Sequence, residues 1–205
     1  MRRRAATRAG MTLLELVVGL TITAMVTAGG YAALASIVDH RRVALVHADS
    51  VAHAAATRRA VVEWITGARL APDADAPPFT GIDGLHEHLA DDQLSFLTTA
   101  RTPLGEGDIV VRLYVDHDEK TAQQGLVAEF REWRTTRRTL LVLDPTATGL
   151  DAEYDGGPLL GGRSLPSWIS SSLLPSAVHL RIVRADSTAG EPLLRLPIVV
   201  PTGGG

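Results

Sequence analysis

The sequence predicts an α+β protein: a long N-terminal helix followed by an antiparallel β-sheet. Three observations carry this expectation. Leu16 to Val38 is an uncharged, apolar run of 38 − 15 = 23 residues. An alanine-rich stretch with helical spacing follows it as far as Leu70. Beyond Pro78 the apolar residues fall into short, partly alternating runs separated by Pro and Gly.

The apolar run is long enough to cross a bilayer, since a helix needs about 20 residues to span a hydrocarbon core of about 30 Å. Arg2, Arg3, Arg4 and Arg8 precede it, and Arg41 and Arg42 follow it. The excess of basic residues before the run keeps the N-terminus in the cytoplasm and puts the rest of the chain beyond the membrane. A secretory signal peptide would have an apolar region of about 7–15 residues and a small-residue cleavage site. Neither is present here.

Past the membrane the helical pattern continues. Ala54, Val61, Ile65 and Ala68 lie at i, i+7, i+11 and i+14, on one face, with Arg58 and Arg59 on or near the opposite side. Pro72 and the run that follows it stop the helix. Met11 to Leu70 is 60 residues, or about 90 Å as one helix. Within it Gly29-Gly30 is either a weak point or a place where small residues let a neighbouring helix approach.

The predicted strands start with Leu94–Thr98. Ile109–Val115 alternates, with Ile109, Val111, Leu113 and Val115 on one face and Arg112 and Tyr114 on the other. Leu126–Trp133 follows a polar turn and completes a hairpin. Leu140–Leu143, Leu150–Tyr154, Val178–Val183 and Leu193–Val200 are the remaining strands.

Composition excludes several functions. The chain has 205 residues, a net charge of −3, 45% hydrophobic residues and no cysteine. Disulfide frameworks, thiol nucleophiles and cysteine-ligated metals are therefore ruled out. Residues 1–38 carry 4 − 1 = +3, which leaves −3 − 3 = −6 for the remainder, so no general attraction to nucleic acid is expected. Arg131, Arg134, Arg137 and Arg138 cluster near Trp133, but Glu129 and Glu132 interleave with them, as in a solvated strand and turn.

No set of residues reads as catalytic. Asp116-His117-Asp118-Glu119 offers oxygen ligands without the spacing of an EF-hand, which leaves Asp116 and Asp118 as bare metal candidates at a hairpin tip. His86-Glu87-His88 is not a zinc-protease motif, because position 90 is Ala90. Gly105-Glu106-Gly107 fails the dinucleotide pattern at Val110 and reads as a turn. No nucleophile elbow, S-x-x-K or Walker sequence is present. No cofactor and no enzymatic activity are expected.

Glu15 is the one charge inside the apolar segment. An ionised group there costs roughly 2.5–3.5 kcal/mol at mid-bilayer and less near the ends. It can snorkel to the headgroups or pair with Arg8. Its surroundings, Ala9-Gly10-Met11-Thr12-Leu13-Leu14-Glu15-Leu16, resemble the class III signal of type IV pilins and type II secretion pseudopilins. The resemblance implies that a prepilin peptidase cuts between Gly10 and Met11 and methylates the new amino terminus of Met11. Met11 stands where phenylalanine is commonest. The mature chain would have 205 − 10 = 195 residues and a charge of −3 − 4 = −7, with Glu15 as its fifth residue. The Glu15 carboxylate would then pair with the amino terminus of a neighbouring subunit, which makes its burial tolerable.

On this reading residues 1–10 are a leader, 11–38 the transmembrane helix, 39–71 its amphipathic continuation and 72–205 a periplasmic, β-rich head of the pilin-like fold. Several head segments resemble the J-type minor pseudopilin of type II secretion. They are Arg58-Arg59-Ala60-Val61-Val62-Glu63-Trp64-Ile65, Phe79-Thr80-Gly81, Leu94–Thr98, Gly149-Leu150, Tyr154-Asp155, Trp168 and Leu174-Pro175-Ser176-Ala177-Val178-His179-Leu180. This implies assembly in the bacterial inner membrane with the I, K and H minor pseudopilins and the major pseudopilin, after processing by prepilin peptidase, and no nucleic-acid partner. A minor type IV pilin for adhesion, motility or DNA uptake is the alternative within the class. A membrane-tethered enzyme or sensor is the alternative from another class.

Overall fold

The computed structural model describes residues 12–70, 73, 75–157, 161–184 and 198–201. It divides into two units, Met1–Asp49 and Ser50–Gly205.

One helix, α1 (Leu13–Thr66), starts in the first unit and ends in the second. In the first unit its apolar side chains are exposed, among them Leu20, Met25, Val26 and Tyr31. Gly29 and Gly30 interrupt nothing: the helix runs through both, and the space beside each is open. The three threonines of this stretch turn their hydroxyls back on the helix. Thr21, Thr23 and Thr27 donate to the carbonyls of Val17, Gly19 and Thr23, each at 2.8 Å, so these three hydroxyls keep a partner without water.

In the second unit the spacing of apolar residues on α1 becomes a buried face. Ala54, Val61 and Ile65 are buried as expected, and Thr57 and Trp64 join them. The Trp64 indole N–H donates to the Arg101 carbonyl at 3.1 Å, and its ring stands edge-on to Phe130 at 4.8 Å. The helix stops earlier than the proline signal predicts. Gly67 N closes the last turn on Glu63 O, while Gly67 O accepts from Thr99 N. The chain then extends into β1 (Ala68–Arg69), so Ala68 is buried as a strand residue and not as the fourth residue of a helical face. The preference of Gly67 for an adjoining strand edge wins before Pro72 is reached; Pro72 itself lies outside the described residues.

The strands that follow are β2 (Phe79–Ile82), β3 (Leu85–His86), β4 (Leu89–Ala90), β5 (Gln93–Thr98), β6 (Ile109–Asp116) and β7 (Gly125–Glu132). After them come β8 (Arg138–Asp144), β9 (Ala147–Asp155), β10 (Ser164–Leu165), β11 (Trp168–Ser170), β12 (Ala177–Arg184) and β13 (Ile198–Pro201). Among the described residues they form a seven-stranded sheet in the order β11-β2-β5-β6-β7-β8, with β1 also on β5. A four-stranded sheet, β10-β9-β12-β13, and the β3–β4 hairpin complete the unit. All these strand pairs are antiparallel. The first part of the last predicted run, residues 193–197, lies outside the described residues.

The alternation in β6 holds: Ile109, Val111, Leu113 and Val115 enter a core shared with Leu126, Ala128 and Phe130 of β7 and with the buried face of α1. Leu150, Ala152 and Tyr154 of β9 and Val178, Leu180 and Ile182 of β12 belong to the same core. Its largest fully buried side chain is Tyr154, whose hydroxyl has no hydrogen-bond partner among the described residues. Burial first, and the nearby Asp92 carboxylate second, hold this phenol far above its usual pKa. An unpaired buried hydroxyl costs about 1–3 kcal/mol. Tyr154→Phe should therefore raise stability by about 1 kcal/mol, or about 2–4 °C in thermal melting of the full chain in detergent. A lower melting temperature would show that the hydroxyl has a stabilising partner.

Candidate functional site

The first turn of α1 is closed by its own side chains. Thr12 stands before the helix and Glu15 three residues on, the arrangement of a capping box. Glu15 Oε2 accepts from Thr12 N at 3.1 Å and from Thr12 Oγ1 at 3.3 Å, and Glu15 N donates to Thr12 Oγ1 at 3.3 Å. A carboxylate is also favoured here by the positive end of the helix dipole. Glu15 and Thr12 are exposed. The acid thus has a local partner within its own chain, which neither snorkelling nor pairing with Arg8 requires. Gly10 and Met11, the residues of the expected cleavage site, and the leader arginines lie outside the described residues.

Beyond Glu15 the helix presents the uncharged run to its surroundings, with no side chain of that run buried. By length and composition α1 is able to cross a membrane. Residues 6–31 match the family model of the prokaryotic N-terminal methylation motif. The chain carries a type IV pilin-like prepilin leader. The match takes in Gly10, Met11 and Glu15 and ends inside the apolar run, short of the head. Helix and leader together fit a membrane-anchored, pilin-like protein. No curated protein and no solved structure matches the chain.

The head does not gather Asp116 and Asp118 into a ligand set. Asp116 Oδ1 accepts from Asp118 N at 3.0 Å and Oδ2 from Thr121 Oγ1 at 2.9 Å, while Asp118 Oδ1 accepts from Lys120 N at 2.9 Å. These carboxylates shape the turn between β6 and β7. In the basic cluster, Arg134 lies over the Trp133 ring at 4.3 Å and pairs with Asp73 at 2.6 Å. Gly105, which closes a turn with Thr102, and Gly107 just beyond it both have positive φ.

A different constellation forms from pieces of two discounted motifs. His86 ends β3, and Glu87 and His88 make a two-residue turn into β4 with φ of 49° and 72°. His117 follows β6 directly. Its Nε2 lies 3.1 Å from Asp91 Oδ1, and its ring stacks on that of His86 at 3.9 Å between centroids. Ligand atoms of His86, Asp91 and His117 all lie within 4.8 Å of one another. Asp91 is held by its neighbours: its N–H donates to Gly84 O, and the buried Asp92 carboxylate accepts from Gly84 N at 2.9 Å and Ala152 N at 2.7 Å. Burial pushes the Asp92 pKa up, against those two hydrogen bonds. Asp91 carries no sequence signal of its own, and the two histidines are 31 positions apart, so only the folded turns reveal the group.

Proposed function

We propose that this protein is a minor pseudopilin of a type II protein secretion system, of the J type, which joins the tip complex that starts pseudopilus assembly. The observation that carries the reading is Glu15: a single acid at the start of an exposed, otherwise uncharged segment of the helix, inside a matched methylation motif. The α+β plan supports it, since the helix carries both an apolar segment and a buried face against the sheets. The partners are the I, K and H minor pseudopilins and the major pseudopilin, in the bacterial inner membrane with the head in the periplasm. The protein acts by assembly and catalyses nothing.

In the mechanism proposed, prepilin peptidase removes residues 1–10 with all four leader arginines and methylates Met11. The new amino terminus lies beside the bilayer. Glu15 then exchanges its bond to Thr12 for an ion pair with the amino terminus of the subunit ahead, because a buried charge is tolerable only when paired. Docking into the fibre is favoured over remaining alone in lipid.

Co-expression with a prepilin peptidase tests the first step. Intact-mass measurement and N-terminal sequencing should find a methylated chain of 205 − 10 = 195 residues starting at Met11. A chain that still starts at Met1 would sink the pilin reading and leave a membrane-tethered enzyme or sensor. Co-purification with pseudopilins, as opposed to type IV pilus subunits, separates the two assembly systems.

A further inference from the structure

We propose that His86, Asp91 and His117 form a binding site for one divalent transition-metal ion of the zinc class. The donor set decides the class of ion. Two imidazoles and one carboxylate suit zinc, cobalt, nickel or copper, whereas calcium and magnesium take oxygen ligands. Three protein ligands with a water in the fourth position make an open tetrahedral site. Two neutral imidazoles and one carboxylate leave the site a net positive charge, so water or an anionic group completes the shell.

The geometry is close to what such an ion needs. In tetrahedral zinc, with bonds of about 2.0–2.2 Å, ligand atoms stand about 3.4 Å apart. Asp91 and His117 are already 3.1 Å apart. The full set lies within 4.8 Å, so closure requires the atoms farthest apart to approach by about 1.4 Å. The stacked rings must swing from parallel to convergent, and His86 has room to do so because it sits on an exposed hairpin.

The three ligands come from separate elements that backbone bonds already hold in place. Gly84 N and O tie the base of the β3–β4 hairpin to Asp92 and Asp91, and Asp92 ties that corner to β9 through Ala152. The turn that presents His86 has both of its residues at positive φ, the usual geometry of a two-residue hairpin loop, which fixes the end of β3. A bound ion would fasten this hairpin to the β6 end and stabilise the head by mass action.

The test uses the full chain in detergent, purified without a polyhistidine tag and freed of metal. Calorimetry with Zn2+ should give one saturable equivalent, and Co2+ should develop the intense visible bands of a tetrahedral site. Zn2+ should also raise the melting temperature. His86→Ala, Asp91→Asn and His117→Ala should each weaken Zn2+ binding at least tenfold, while Asp118→Ala leaves it unchanged. If His117→Ala loses its folded circular-dichroism signal, His86→Ala on the exposed hairpin decides alone. The proposal is overturned if the parent chain shows no saturable Zn2+ binding, if His86→Ala binds as the parent does, or if Ca2+ alone binds. It stands apart from the assembly role of Glu15, since loss of either function leaves the other measurable.

Discussion

Glu15→Gln should be processed like the parent chain yet enter fibres about 10–100-fold less. That range corresponds to about 1.4–2.7 kcal/mol, somewhat below the roughly 2.5–3.5 kcal/mol that an unpaired charge costs at mid-bilayer because Glu15 lies only one turn into the helix; it is the preference for docking that the substitution removes. Glutamine serves in capping boxes as glutamate does, so its side-chain oxygen can still accept from Thr12 N. What disappears is the charge. Glu15→Val removes both the charge and the cap and should fail to a similar degree. Thr12→Ala removes only the cap, at about 1 kcal/mol of helix stability, and should incorporate close to normally. The measurement is the ratio of fibre-bound to membrane-bound subunit in cells that carry the peptidase and the companion subunits. Normal incorporation of Glu15→Gln beside failure of Glu15→Val would make Glu15 a helix cap and nothing more.

The same residue marks how far sequence alone reaches. Its isolation from other charges follows from the uncharged run Leu16–Val38, and the family match follows from its neighbours. The capping box is equally legible, since Thr12-Leu13-Leu14-Glu15 spells it: the acid that is costly in a membrane also satisfies the Thr12 N–H. In the head, strands with their own periodicity were readable. Ile109, Val111, Leu113 and Val115 alternate because one face of β6 meets α1 and β9, and that alternation is a local signal. Phe79–Ile82 and Trp168–Ser170 are too short to show a period. They are strands because each finds the other as a partner, Trp168 opposite Gly81 and Ser170 opposite Phe79. The group of His86, Asp91 and His117 was hidden for the same reason. Metal motifs are recognised by regular spacing, and here two separate turns set the distances.

Gly125→Ala should lower stability by about 2–5 kcal/mol, and so depress thermal melting by about 5–15 °C or more. Two effects add at this position. Gly125 has φ of 92°, a conformation that costs an L residue about 1–2 kcal/mol. A Cβ there would also lie 2.2 Å from the Asp144 carbonyl oxygen and 2.7 Å from Pro145 Cα, and overpacking of this kind costs about 1–3 kcal/mol. The obstructing backbone cannot easily retreat. Asp144 is 4% exposed, and its carboxylate is fixed by Arg184 at 2.6 Å and by the N–H and hydroxyl of Thr146 at 2.9 and 2.7 Å. Movement of that corner would break a buried ion pair and leave Asp144 unpaired. Pairing of β7 with β8 already shifts register at Leu126/Val127, so the irregularity is built around the glycine. Gly105→Ala isolates the backbone part, because Gly105 has φ of 114° but nothing within 4 Å of its missing Cβ. If Gly125→Ala is no worse than Gly105→Ala, the close approach of β7 to the β8–β9 corner contributes nothing. If it is worse by the expected margin, the corner is a fixed wall of the head, and β7, which carries Phe130 against Trp64, is placed by it.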